Sequence, residues 1–163
     1  MLSFSHVKSL AALTVLAFCS GIVVATDSHE WRLVDDRVHG EVEVRALSET
    51  GNVVLSKTCH RGEAGCAWHL VSYSHCAEGT GFYVLVETDS RETVVRTICH
   101  LIGYVPELNF IDNALVDIAL QGAQRLQIRV ESQREESFDF ALSGMASSLE
   151  KLEALKWSMD RTK

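Results

Sequence analysis

Glu41-Val42-Glu43-Val44-Arg45 alternates charged and β-branched residues without a break, and Gln127-Ile128-Arg129-Val130-Glu131 repeats the device late in the chain. Successive side chains of a strand point to opposite faces, so each stretch predicts a strand with one wet and one dry face. Outward from these two, short β-branched and aromatic runs broken by Gly, Asp, Asn and Ser extend from Trp31 to Leu142. Strands are expected over 31–34, 41–47, 52–58, 66–73, 82–88, 92–101, 125–131 and 137–142. Val84-Leu85-Val86 and Val94-Val95 are apolar on both faces and suit central strands. Glu49-Thr50-Gly51-Asn52 and Thr88-Asp89-Ser90-Arg91 carry turn residues between strands and predict antiparallel reversals. The expected fold class is mainly β (α+β), an antiparallel β-sandwich or barrel.

Two helices complete that expectation. Phe110, Ile111, Leu115, Ile118 and Ala119 recur at helical spacing, with Asp112 or Asn113 to cap the start and Gly122 to end it, which predicts a short helix near 110–121. Pro106, the only proline, is read into the preceding connection. Met145, Leu149, Leu152, Leu155 and Met159 step by four, three, three and four, whereas Glu150, Lys151, Glu153 and Lys156 fall elsewhere. That predicts a C-terminal amphipathic helix over 144–160 whose stripe covers an open end or face of the sheet; a partner helix is the alternative cover. Trp157 lies off the stripe.

The first 25 residues have the form of an export signal: Lys8, an apolar run from Leu10 to Val24, then Val23-Val24-Ala25 before polar Thr26. Retention as an anchor and lipidation at Cys19, within Leu16-Ala17-Phe18-Cys19, are the alternative fates of this segment. One β-rich domain is expected over 26–163, in the periplasm or secreted. Removing the signal costs Lys8 alone among the charges, leaving 14 basic against 22 acidic residues, a formal charge of −8. Such a surface repels nucleic acid and anionic lipid and favours another protein, a basic one, as partner. No stretch after the signal approaches the roughly 20 apolar residues that a bilayer-spanning helix needs.

Four cysteines remain, Cys59, Cys66, Cys76 and Cys99, and an even number in an exported chain predicts two disulfides. Three connectivities are open to them. Hairpin geometry favours Cys59 with Cys66, facing each other across the loop 60–65, and Cys76 with Cys99. A histidine adjoins three of these cysteines, in Cys59-His60, His75-Cys76 and Cys99-His100, and His69 lies between two of them. His60, His69, His75 and His100 are therefore the candidate ligands for zinc or copper. Against that stand the lack of Cys-x-x-Cys, the lack of histidines at i, i+4, and the opposite directions of neighbouring strand residues. No cofactor or metal is expected.

Catalytic motifs do not emerge. Gly-x-Ser-x-Gly does not occur, and Ser143-Gly144 has no base beside it in sequence. Asp35-Asp36 and Glu135-Glu136 read as solvated turn charges, and Gly79-Thr80-Gly81 lacks the lysine and the helix of a phosphate loop. Asp139, between Phe138 and Phe140, is the carboxylate best placed to be buried, although an outward-facing strand residue is the commoner case. The expectation is a non-enzymatic protein without catalytic residues.

The stretch from Ile111 through Gly122-Ala123-Gln124-Arg125-Leu126-Gln127-Ile128-Arg129-Val130 to Phe138-Asp139-Phe140-Ala141-Leu142-Ser143-Gly144-Met145, with the helix from Leu149 to Leu155, resembles the ending of the invasion-associated locus B family of bacterial envelope proteins. The exported signal, early Trp31, paired cysteines and β content are similar too. The resemblance implies a periplasmic, virulence-associated, β-rich accessory protein and transfers no functional residue. The function expected is thus that of an exported binding or envelope-associated accessory protein. The alternatives are a periplasmic inhibitor or immunity-type protein that blocks a toxin or hydrolase, and a His/Cys metal-binding protein.

Overall fold

The computed structural model describes residues 30–36, 38–71, 73, 76–131 and 135–161; the segment read as an export signal, Cys19 and His75 lie outside them. Nine strands and two helices follow one another: β1 (Arg32–Asp36), β2 (Glu41–Leu47), β3 (Val54–His60), β4 (Cys66–Val71), β5 (Gly81–Thr88), β6 (Glu92–Ile102), β7 (Val105–Phe110), α1 (Asn113–Leu120), β8 (Arg125–Glu131), β9 (Glu136–Ala141) and α2 (Met145–Arg161). The strands form one antiparallel sheet in the order β1-β2-β3-β4-β7-β6-β5-β8-β9. The mainly β fold with a short helix and a C-terminal helix is the one expected.

Alternation decides which face is dry. Val42, Val44 and Ala46 of β2 stand beside Cys59, Lys57 and Leu55 of β3, and these beside Cys66, Trp68 and Leu70 of β4. Trp68, Leu55 and Leu70 are fully buried, whereas Glu43 and Arg45 point the other way and pair at 3.8 Å. The same parity runs through Leu108, Val84, Val86, Ile128 and Phe140, so the core lies along one face of the whole sheet. The sheet's far ends return toward each other: the Trp31 indole N–H, just before β1, donates to the carbonyl of Ala141 at 2.9 Å, and the Glu49 N–H donates to the carbonyl of Asp139 at 2.8 Å. Trp31 meets Trp68 edge-on, with centroids 6.1 Å apart, and Tyr73 meets Phe82 and Phe138 edge-on across the interior.

α2 packs across β1, β2 and β3. Its buried residues Met145, Leu152 and Met159, with Leu149 and Leu155 partly buried beside them, are the stripe read from sequence. The sheet itself covers that stripe, as expected, and Trp157 is exposed.

α1 departs from expectation. The Asp112 carboxylate caps it by accepting from the N–H of Leu115, but the buried residues are Val116, Ala119 and Leu120, while Ile111, Leu115 and Ile118 face outward. A helix this short carries two apolar stripes, and polar anchoring selects between them. Asp117 Oδ1 accepts from Lys57 Nζ at 2.7 Å and from the Trp68 indole N–H at 2.8 Å, and Asn113 Oδ1 accepts from the Trp68 backbone N–H. With Asp117 turned toward β3 and β4, the 111, 115, 118 stripe is rotated out.

β7 is a second correction. The sequence pattern assigns Pro106 to a connection and 110 to a helix start, yet Val105–Phe110 form a strand between β6 and β4, with Phe110 buried opposite Thr97. Pro106 stands inside that strand, opposite Leu101, one residue before Glu107, the last β7 residue with a described partner on β4. Asp35 and Asp36 likewise close β1 and do not form a turn; the Asp36 carboxylate accepts from the N–H of His39 at 3.2 Å and pairs with its ring at 2.8 Å.

Candidate functional site

β6, with eleven residues, is the longest strand, and it outruns its neighbours. Its register with β5 ends at Ile98 and Gly81, followed by two more hydrogen bonds, Cys99 N–H to Thr80 and Gly79 N–H to Cys99, each at 2.9 Å. On the far flank, the last described rung between β4 and β7 is Val71 opposite Glu107. Beyond those points, among the described residues, the strand pairing of residues 101–106 is only with one another, Leu101 opposite Pro106 and Ile102 opposite Val105. Gly103 and Tyr104 make the two-residue turn, and Gly103 holds the positive φ of +65° that such a turn demands. The product is a two-stranded ribbon that extends past the edge of the sheet.

Its chemistry is unusual for an exposed element. Leu101 is 44% exposed, Ile102 63%, Val105 45% and Tyr104 fully exposed. No charged residue occurs between His100 and Glu107. Because partners across a ladder share a face, Leu101 and Pro106 occupy one side of the ribbon and Ile102 and Val105 the other. Both sides are therefore apolar.

The base is held firmly. Cys76 is joined to Cys99, with Cα atoms 5.8 Å apart, which ties the 76–80 segment to β6 two residues before the ribbon begins at Leu101. From that segment the Glu78 carboxylate accepts from the N–H of Leu101 and lies 3.2 Å from His100 Nδ1. Cys59 is joined to Cys66 across the β3–β4 loop, with Cα atoms 4.2 Å apart, so both disulfides follow the pairing that the hairpins favour.

No protein-family model, curated protein or solved structure matches this chain.

The described histidines read as candidate ligands each have a separate acidic neighbour. His60 Nδ1 lies 3.2 Å from Glu41, His69 Nδ1 lies 2.7 Å from Glu107 and 2.8 Å from Asn109 Oδ1, and His100 belongs to the ribbon base. Among the described residues no group of three His, Cys, Asp or Glu side chains is placed to hold a metal ion. The four cysteines are consumed in disulfides. His69 is the one set deepest. Burial pushes its pKa down, but hydrogen bonds to Glu107 and Asn109 and the charge of Glu107 outweigh this and hold it above the ordinary 6.5. Asp139 is exposed and accepts from Gln127 Nε2 at 2.9 Å, so it is an outward strand residue and not a buried carboxylate.

A second apolar surface lies where α1 ends and α2 begins, a cavity of about 820 Å³ lined by Ile118, Leu120, Ala123, Leu142, Met145 and Leu149, among others. It adjoins the outward stripe of α1 through Ile118. Neither surface was found from sequence. Leu101-Ile102-Gly103-Tyr104-Val105 has a local signal, five uncharged residues around a glycine, but it reads equally well as a buried strand end.

Proposed function

We propose that this chain is an exported, non-enzymatic binding protein associated with the cell envelope, and that it works by stoichiometric contact through the ribbon of residues 101–106. The observation that carries this reading is the exposure of Leu101, Ile102, Tyr104 and Val105 together on a disulfide-anchored projection. Folding gains nothing from apolar groups left in water, so their clustering on one rigid tip marks a contact surface. Two disulfides suit an oxidising compartment, and among the described residues no helix is long and apolar enough to cross a membrane. The similarity of the segment from Ile111 to Leu155 to the invasion-associated locus B family supports the same periplasmic, accessory reading.

The acidic balance supports a second reading, an inhibitor or immunity-type protein that blocks a basic toxin or hydrolase by inserting the ribbon. Affinity capture from the native envelope fraction separates the two. A single basic protein retained at low salt and released by high salt favours inhibition, whereas salt-insensitive association with envelope material favours the accessory role. Capture that is unchanged in Ile102→Ser/Tyr104→Ser contradicts both.

A further inference from the structure

We infer that the ribbon of residues 101–106 is a membrane-surface probe whose target is the interface of a zwitterionic phospholipid bilayer, an inference that rests on the contact role proposed above for the same residues. A protein partner offers one complementary surface and calls for one apolar face with a polar back. This ribbon is apolar on both faces, exposed Leu101 and half-buried Pro106 on one and exposed Ile102 and Val105 on the other. Apolarity on every side suits a medium that surrounds the tip, and the acyl boundary of a bilayer is such a medium.

Dimensions agree. Gly103 lies three residue steps beyond His100, and at about 3.3 Å per step the ribbon reaches about 10 Å beyond that base. Interfacial elements bury their apolar surface about 5–10 Å into the headgroup and acyl boundary. The ionisable acids and histidines stop at the matching depth, since His100, Glu78 and Glu107 sit at the base while 101–106 carry no charged residue. Tyr104 at the apex adds an amphipathic ring of the type enriched at membrane interfaces. Edges of two-stranded ribbons expose backbone groups, which limits insertion to the interface and excludes spanning. The acidic surface chooses the lipid: the exported chain's formal charge, 14 basic less 22 acidic residues or −8, repels anionic headgroups, so neutral ones are preferred.

The test uses the exported protein incubated with phosphatidylcholine vesicles, with and without added phosphatidylglycerol. Tyr104→Trp, read against wild type, reports the tip alone: its extra emission is expected to shift to the blue on phosphatidylcholine and to be quenched by lipids brominated on the acyl chain. Ile102→Ser/Tyr104→Ser is expected to lower the partition coefficient at least tenfold while leaving the thermal midpoint unchanged, and phosphatidylglycerol is expected to weaken binding. A position-104 emission that neither shifts nor quenches overturns the lipid target. If the serine variant nevertheless loses capture of an envelope protein, the lipid target falls and the contact role stands; if capture too is unaffected, both fall.

Discussion

Cys76 is bonded to Cys99, one residue before His100, whose rung through Glu107 to Val71 is the last described one that β6 shares with β7 and β4. The crosslink therefore stands between a well-paired sheet and a ribbon whose described strand pairing is only with itself, and together with the Glu78 bond to the Leu101 N–H it ties down the base of the tip.

Replacing Cys76 and Cys99 together by serine is expected to lower stability by about 3 kcal/mol, from the loop-closure entropy of a 23-residue separation. The same change at Cys59 and Cys66, separated by 7, is expected to cost about 1 kcal/mol less. Urea denaturation of the two double variants checks the order. The first variant should also lose binding out of proportion to its stability, because the ribbon base loosens; equal binding in both variants would contradict that.

Asp117 gathers two donors, Lys57 and the indole of Trp68, at the seam between α1 and the sheet. Asp117→Ala leaves the nearly buried Lys57 ammonium and the indole N–H without that acceptor. Because the Asp117 side chain is itself about half exposed, water recovers part of the loss, and a cost of about 1–2 kcal/mol is expected. Asp117→Asn keeps an acceptor for Trp68 and should cost less, as measured by denaturant titration with near-ultraviolet circular dichroism on the tryptophans.

How much of this was legible in the sequence differs from element to element. The alternation at 41–45 and 127–131, the disulfide hairpins and the stripe from Met145 to Met159 are local patterns, and local geometry alone determines what they bury. The orientation of α1 is not local. Both of its stripes satisfy a helical period, and the choice between them is made by Asp117 reaching β3 and β4, about 50 to 60 residues away in sequence. β7 was hidden because a proline and an asparagine interrupt its pattern, and because its value as a strand depends on β4 arriving beside it. The ribbon was illegible for the converse reason: no residue between 101 and 106 records that the register of β5 with β6 ends at Gly81.

Leu152 is fully buried at the middle of the α2 stripe. Leu152→Ala is expected to destabilise by about 3 kcal/mol, through lost transfer energy and the cavity left against the sheet. Leu155→Ala, at a half-buried position, should cost clearly less. The comparison of urea midpoints tests whether the sheet, and not a partner, covers this helix.

His69 gives stability a pH signature. Its pKa is raised in the folded chain, so the protonated ring favours folding; the contribution is complete below the unfolded value and is lost as pH rises through the folded one. As pH rises from below the ordinary 6.5 through the raised folded value, the denaturation midpoint is therefore expected to fall, and to fall less in His69→Gln. An identical pH dependence in that variant would show that the pairing with Glu107 does not matter to the fold.

Photo-crosslinking from position 104 tests the contact role most directly. With a photoreactive residue in place of Tyr104, irradiation in the native envelope should give adducts, and the same residue in place of exposed Glu92, at the other end of β6, should give none. Adducts from position 92 with none from position 104 would contradict the assignment of the ribbon as the surface through which this protein acts.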